Sequence, residues 1–353
     1  MESNKIAMIM GVSGQDGSYL TEYLLAHNYT VVGIARRCSH NNSERISHIT
    51  NSQFQVIEGD VSDHSHIITL LKEYKPTHIF NLAAQSHVGS SFKQPIYTFD
   101  VTAGGTLNIL EAIRQVDASI RFYQASSSEI FGDQVGPNNN QDENTTKNPQ
   151  SPYAIAKLAA YQFTQLYRQS YGIFASNGIL FNHESKRRGE NFVTRKITKW
   201  IGKYVKWRSR CRDISIRNTI DINNITDEYS HKTFPKLRLG NLNVCRDWGH
   251  AADYVEAMRL MLEVDHPDDF IIATGKTYTI KEFLKEAFDI AEIECWEKYV
   301  VIDPELYRPS DVPFLKGNSA KAQKTLGWKP TITFKEMVRE MVDSDIKMEE
   351  SKC

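Results

Sequence analysis

A short apolar run, Ile6-Ala7-Met8-Ile9-Met10, passes straight into Gly11-Val12-Ser13-Gly14-Gln15-Asp16-Gly17. Ser18-Tyr19-Leu20-Thr21-Glu22-Tyr23-Leu24-Leu25 follows, with its apolar residues at helical spacing. A continuous apolar run that ends at a glycine reads as a buried parallel strand, and the segment after the turn reads as a helix. Strand, glycine turn and helix in that order open a βαβ unit. Glycine lets a backbone approach a pyrophosphate closely, and a helix N-terminus supplies donors and positive potential. Gly11, Val12, Ser13, Gly14, Gln15, Asp16 and Gly17 are therefore candidate contacts for a dinucleotide. The spacing is G-x-x-G-x-x-G, not the commoner G-x-G-x-x-G. The strand–turn–helix context carries the reading more than the glycines do.

The same alternation continues. Strands are expected over 30–35, 54–58, 78–82 and 174–180, with helical patterns between them. That order predicts an α/β fold: a Rossmann-type doubly wound parallel sheet over residues 1–180. After Asn182 the pattern breaks into loops and shorter elements, so 181–353 reads as a smaller C-terminal lobe that binds substrate. The stretch 247–264 reads as a helix returning to cover the first lobe.

The second strand ends in Arg36-Arg37, followed by Cys38 and Ser39. A carboxylate at this place would hold the ribose 2′-hydroxyl of NAD. An arginine instead accommodates the 2′-phosphate of NADP. Asp60-Val61, after the third strand, can cap the adenine side. Leu82, Ala83, Ala84, Gln85 and Ser86 close the fourth strand, where small residues let a cofactor lie against the backbone.

The chemistry is written further along. Tyr153 and Lys157 stand four apart in SPYAIAK, on one face of a helix. An ammonium beside a phenol favours the phenolate, which makes Tyr153 a candidate general base for a hydroxyl. Upstream, Ser126-Ser127-Ser128-Glu129 follows a strand. Glu129 is a second acid/base, more than a plain hydroxyl oxidation requires.

The remaining features bound the class. The chain has 353 residues and a formal net charge of −1, so no global field draws it to nucleic acid or an anionic membrane. No apolar run reaches the length of a membrane span, and MESNK is not the start of a signal peptide. Five cysteines without metal spacing read as reduced thiols in a cytoplasmic compartment, and no metal site is expected. A stretch at 207–234 begins with basic residues (Lys206, Arg208, Arg210, Arg212, Arg217), and reads as a solvated surface loop or a phosphate site.

With these pieces the chain resembles the extended short-chain dehydrogenase/reductase family and, within it, the GDP-mannose 4,6-dehydratases. The runs that carry the resemblance are GVSGQDGSYL, ARRCSHNNSERI, NLAAQSHV, YQASSSEIFG, SPYAIAK, NGILFNHES, RRGENFVTRKI, LGNLNVCRDWGHAADYV and LGWKP, spanning 11–330. The chain departs from the family pattern at three places. Ser127 stands where Thr is usual, Lys186 stands where Pro is usual, and the 207–234 stretch is longer than the pattern.

The resemblance implies a retained NADP cofactor and GDP-mannose as substrate. It implies Ser127, Glu129, Tyr153 and Lys157 as the catalytic set, with Tyr97, His183 and Arg188 on the cofactor side. It implies Ser86, Asn182, Lys196, Arg246 and Arg308 as substrate contacts, the three cations suiting a diphosphate. It also implies a homotetramer, a dimer of dimers, whose 36–45 loop reaches a neighbouring subunit. Two alternatives stay open at this point: a nucleotide-sugar 4-epimerase or 4-keto reductase, and a cofactor-sensing protein without turnover.

Overall fold

The computed structural model describes residues 5–38, 43–217 and 234–352, with no side-chain placement over 212–217. The chain clusters into two units. The first combines Met1–His183 with Cys245–Thr277 and Ser310–Ile332; the second combines Glu184–Val244, Tyr278–Pro309 and Thr333–Cys353.

The first unit is built on a seven-stranded parallel sheet. Its strands are β1 (Ile6–Met10), β2 (Thr30–Ala35), β3 (Phe54–Glu58), β4 (His78–Asn81), β5 (Arg121–Ser127), β6 (Ala175–Leu180) and the late strand Asp269–Ile272. The order across the sheet is Asp269–Ile272, β6, β5, β4, β1, β2, β3. β1 lies between β2 and β4, with Met10 in register with Ile34 on one side and Asn81 on the other. The chain therefore winds outward in both directions from β1. The carboxyl ends beside that switch point are where ligands bind in open α/β sheets.

The core follows from composition. Ala7, Met8 and Ile9 are fully buried, as are Phe80 and Phe122 on the neighbouring strands. Strands covered on both faces read as unbroken apolar runs for this reason. One face packs Ile9, Leu20, Leu24, Tyr254 and Trp328 together, and the other packs Met8, Leu71, Ile109, Ile113 and Phe122. Gly33 is required by packing, because a Cβ there would lie 2.7 Å from a Val12 methyl.

The helix Pro152–Tyr171 shows its signals in the sequence. The Ser151 hydroxyl accepts from the Ala154 amide at 3.1 Å, Pro152 opens the first turn, and Gly172 ends it at φ +68°. In the second unit, Thr279/Glu282 and Thr333/Glu336 form reciprocal capping boxes at the starts of Ile280–Ile290 and Phe334–Glu350.

Three expectations need correction. Residues 247–264 are not one helix: Trp248–His250 is extended, and the helix is Ala251–Leu260, capped by the His250 ring. The start of the 207–234 stretch is not a loop, because the helix Val193–Arg217 carries it; 218–233 lies outside the described residues. Nor is the later chain made of short elements. The second unit has helices of 25 and 17 residues. They approach closely at Gly202, where a Cβ would meet the Asp345 carbonyl at 2.6 Å. Arg195 forks onto Asp345 through Nε and Nη2 at 2.7–3.0 Å. A return to the first unit at Ser310–Ile332 has no counterpart in the sequence reading.

Candidate active site

The turn after β1 has the shape its glycines require. Gly11 sits at φ +83°, with Ala83 backbone 3.1 Å from where its Cβ would be. At Gly17 a Cβ would lie 2.5 Å from the Val12 carbonyl oxygen, so the helix Gln15–Ala26 starts hard against the turn. Gly14 is the N-cap, and no side chain caps this helix. A turn without Cβ atoms followed by an amide-rich N-terminus fits a dinucleotide pyrophosphate. The Val12 side chain is fully buried, so that residue presents only its backbone.

Asp16, one of the candidate cofactor contacts, is held by side chains on both of its carboxylate oxygens. Its Oδ2 lies 2.8 Å from His183 Nε2, and its Oδ1 accepts from Gln15 Nε2 at 3.0 Å. Gln15 Nε2 also donates to the His183 carbonyl at 3.1 Å. The glycine turn is thus tied to the chain just after β6.

At the end of β2, Arg36, Arg37 and Cys38 are exposed. The Arg36 guanidinium donates to the Tyr97 hydroxyl, so two residues expected on the cofactor side meet. Ser39 lies outside the described residues. Asp60 is turned onto its own loop, with Oδ1 accepting from the Ser62 amide at 2.9 Å and hydroxyl at 2.8 Å. Val61 is buried, and its carbonyl accepts from Asn108. In the loop after β4, Leu82, Ala83 and Ala84 are half-buried and Ser86 is exposed. The Gln85 amide ties that loop to the helix Pro95–Phe99, donating to Thr98 Oγ1 at 3.1 Å, and accepts from the His87 amide at 2.6 Å.

The catalytic candidates converge on the carboxyl end of β5. Ser127 is its last residue, and Glu129 is half-buried in the 3-10 turn Ser128–Phe131 that follows. Ser127 Oγ accepts from the Glu129 amide at 3.3 Å. Tyr153 and Lys157 are buried on the first turns of Pro152–Tyr171. Lys157 Nζ donates to the Ala125 carbonyl at 2.7 Å and lies 5.9 Å from the Tyr153 ring centroid. Burial pulls the Lys157 pKa down to about 8, and the Asp16 carboxylate opposes that shift.

A buried polar network supports this end of the strand. Gln124 Nε2 donates to the same Ala125 carbonyl at 3.0 Å, and Gln124 Oε1 accepts from Asn81 Nδ2 at 2.8 Å and Thr106 Oγ1 at 3.1 Å. Asn81 Oδ1 accepts from the Ala83 amide at 3.3 Å. The loop after β4 is therefore linked through the buried Asn81 and Gln124 side chains to the carbonyl that holds Lys157, with Thr106 bonded to Gln124 beside them.

The remaining candidates divide between the units. Asn182, half-buried, and Arg246, buried, belong to the first. Arg246 donates to the Val312 carbonyl at 2.8 Å and to Asp311 at 3.2 Å, so part of its fork is committed to the fold. Next to it, Asp247 accepts from Thr274, Gly275 and Gly317; burial still raises its pKa to about 6. Arg188, Lys196 and Arg308 belong to the second unit. Arg188 is held by Glu184 at 3.0 Å and lies 3.7 Å over the Phe192 ring, whereas Lys196 is exposed.

Sequence reasoning missed the Asp16–His183 contact and the Asn81–Gln124–Thr106 network. A carboxylate inside a phosphate-binding turn was the available signal for the first, because it demands a compensating partner. The second had no signal, since its members are scattered over three elements.

A family model described as GDP-mannose 4,6 dehydratase matches residues 8–213 and 214–341. GDP-mannose 4,6 dehydratase 1 of Arabidopsis thaliana is 44% identical over 359 residues, covering 99% of this chain and 91% of the relative. GDP-mannose 4,6 dehydratase 2 of Caenorhabditis elegans is 46% identical over 373 residues, covering 98% and 90%. Among solved structures, a Thermus thermophilus UDP-glucose 4-epimerase complexed with NAD aligns at TM-score 0.79 and 24% identity, covering 96% of this chain and 98% of that one. A Bacillus anthracis dTDP-glucose 4,6-dehydratase in complex with NAD aligns at 0.78 and 19%, covering 98% of each. At those identities the two structures establish the fold alone.

Proposed function

The chain belongs to the GDP-mannose 4,6-dehydratase family, and from that membership we propose the reaction and the residue roles that follow. GDP-α-D-mannose is converted to GDP-4-keto-6-deoxy-α-D-mannose and water, for GDP-deoxysugar synthesis, by an NADP-dependent hydro-lyase. The observation that carries this reading is the position of Glu129. It stands two residues past Ser127, at the carboxyl end of β5. A 4-epimerase or 4-keto reductase has no use for a base at C5, and a sensor has no use for the full set.

Tyr153 takes the proton of the C4 hydroxyl, while Ser127 holds that oxygen. Lys157 keeps its charge beside the phenol and favours the phenolate. The ketone at C4 makes the C5 proton acidic. Glu129 removes it and returns a proton to the departing C6 hydroxyl, so that water leaves. When bound, the nicotinamide cofactor supplies the hydride acceptor for C4 and the donor for C6, and net redox is zero. Residues 11–17 would hold its pyrophosphate, and Arg36 with Arg37 its 2′-phosphate, which is the basis for preferring NADP. Arg246 is the first unit's cation for the GDP diphosphate, with Asn182 and Ser86 as that unit's further substrate contacts; Lys196 and Arg308 are the second unit's candidates for the same group.

The assembly is a tetramer, a dimer of dimers. Its support is an apolar surface in the first unit: Ile96 and Phe99 are 76% and 45% exposed, and Ile155 and Leu166 are 51% and 48% exposed. Ile155 and Leu166 share a stripe on Pro152–Tyr171 that a second copy would cover. The 36–45 loop, of which 39–42 lies outside the described residues, reaches the neighbouring subunit. The four described cysteines form no disulfide with one another, and no described helix is long and apolar enough to cross a membrane.

The test is product mass after incubation with GDP-mannose and no added NADPH. Loss of one water is expected, and an unchanged mass would sink the reading. Glu129→Gln should retain GDP-mannose binding and lose dehydration by about 10²–10⁴-fold. Near-normal turnover by that variant would remove Glu129 from the mechanism.

A further inference from the structure

His183 has oxygen acceptors at both ring nitrogens. Nδ1 lies 2.8 Å from the Phe181 carbonyl oxygen, and Nε2 lies 2.8 Å from Asp16 Oδ2. A carbonyl oxygen cannot donate, so Nδ1 must carry a hydrogen. The contact at Nε2 needs one more proton between ring and carboxylate. Imidazole is the stronger base of the two, and the proton belongs to the ring. The ring is buried and stacks on Tyr254 at 4.6 Å between centroids, inclined by 26°, which prevents it from turning away.

We propose that Asp16 and His183 form a standing carboxylate–imidazolium pair that makes the glycine turn fit to receive a dinucleotide. Asp16 is in the first turn of the helix Gln15–Ala26, where a pyrophosphate would otherwise meet a bare negative charge. His183 cancels that charge and draws the carboxylate toward the chain beyond β6. Gln15 strengthens the arrangement, since its amide spans Asp16 Oδ1 and the His183 carbonyl. Other titratable groups also sense Asp16. Its charge favours the ammonium of Lys157 and disfavours ionisation of buried Tyr123, while the Tyr254 ring faces the imidazole. Asp16 and His183 are therefore positioning residues for the turn, and Asp16 adds a long-range contribution at Lys157.

The pair rests on the two ring contacts and on the greater basicity of imidazole; its consequence for binding rests on the turn being the NADP site. Protein labelled with ring-¹⁵N histidine, measured by solid-state NMR at about pH 7.5, tests the first part. Subtraction of a His183→Gln spectrum assigns the signals. Two protonated nitrogens are expected for His183 in the wild type, and a neutral ring with only Nδ1 protonated in Asp16→Asn. A neutral ring in the wild type overturns the pair without any need for the variant to fold. Calorimetric titration with NADP tests the second part. His183→Gln should weaken binding about tenfold or more by leaving Asp16 uncompensated, and Asp16→Asn added to it should recover most of that loss. No recovery overturns the charge-cancelling role. Wild-type protein that does not bind NADP at all would instead overturn the cofactor reading of the turn.

Discussion

Lys157 Nζ donates to the carbonyl oxygen of Ala125 at 2.7 Å, across from the strand end that carries Ser127. The same Nζ lies 5.9 Å from the Tyr153 ring centroid. A buried cation with so little solvation gives up its proton easily, and burial lowers its pKa to about 8. Tyr153 depends on that positive charge to ionise. The charge is present below about pH 8 and lost above it, so kcat/KM should fall as pH rises through that value. Lys157→Arg keeps the charge and should move the alkaline limb upward on whatever activity remains. A pH–rate profile whose alkaline limb is the same in both proteins would show that Lys157 does not set it.

The proposed preference for NADP over NAD rests on the end of β2. Arg36 is exposed and donates to the Tyr97 hydroxyl, so its guanidinium is already oriented beside an aromatic edge. A 2′-phosphate would find a forked cation there. Arg36→Ala combined with Arg37→Ala should weaken NADP binding by about tenfold to a hundredfold, and change NAD binding little. Calorimetric titration of cofactor-free protein measures both. Equal losses for the two cofactors would mean the arginines read no phosphate.

Much of this site was legible because its residues are contiguous. The β1 turn spells its need for glycine at Gly11 and Gly17, where a side chain would strike Ala83 or Val12. The start of Pro152–Tyr171 announces itself through Ser151 and Pro152. Tyr153 and Lys157 share a helix face by their spacing, and the glycine turn near the start of the chain gives that pair its weight. Other features depend on distance in the chain and left no local pattern. Asp16 and His183 are 167 residues apart, and neither predicts the other. Gln85 is bonded to Thr98 and Asp60 to Ser62, and no pattern in the sequence marks the first of these contacts. Residues 247–264 misled because the extended Trp248–His250 segment runs directly into the helix Ala251–Leu260 with no Pro or break in pattern between them.

The opposite end of the sheet predicts acid sensitivity. His78, at the start of β4, is buried; its Nδ1 meets Thr77 Oγ1 at 2.8 Å, and its ring lies edge-on to Tyr29. Burial lowers its pKa to about 4; Lys5 and Arg121 add to this, and Glu263 opposes it. The unfolded chain binds a proton below the ordinary value of 6.5 and the folded chain does not. Stability from this residue is thus complete above about 6.5 and is lost as pH falls toward about 4. Between about pH 7.5 and pH 5 the loss should be about 2 kcal/mol. Urea unfolding at the two pH values measures it, with His78→Gln expected to remove most of the difference. An undiminished slope in that variant would assign the acid sensitivity to other groups.

The exposed apolar stripe makes the last prediction. Ile155 and Leu166 lie eleven positions apart on the outer face of Pro152–Tyr171, three helical turns along one line. Ile96 and Phe99 are exposed on the short helix Pro95–Phe99. A monomer would keep all four in water, whereas a second copy would bury them at about 1.5–3 kcal/mol for each fully covered side chain. Light scattering of the wild type should give about four chain masses, as two such pairs joined through the 36–45 loops. Leu166→Glu with Ile155→Glu places like charges on both sides of a two-fold contact and should break the pairs. Arg45→Ala with Arg37→Ala should instead leave dimers, because it alters only the loop. Arg45 already lies 3.4 Å from the Ser13 carbonyl of its own chain, so its loop stands next to the glycine turn from which a neighbour would be reached. A wild-type mass that neither set of substitutions changes would mean that the helices and the loop build no interface.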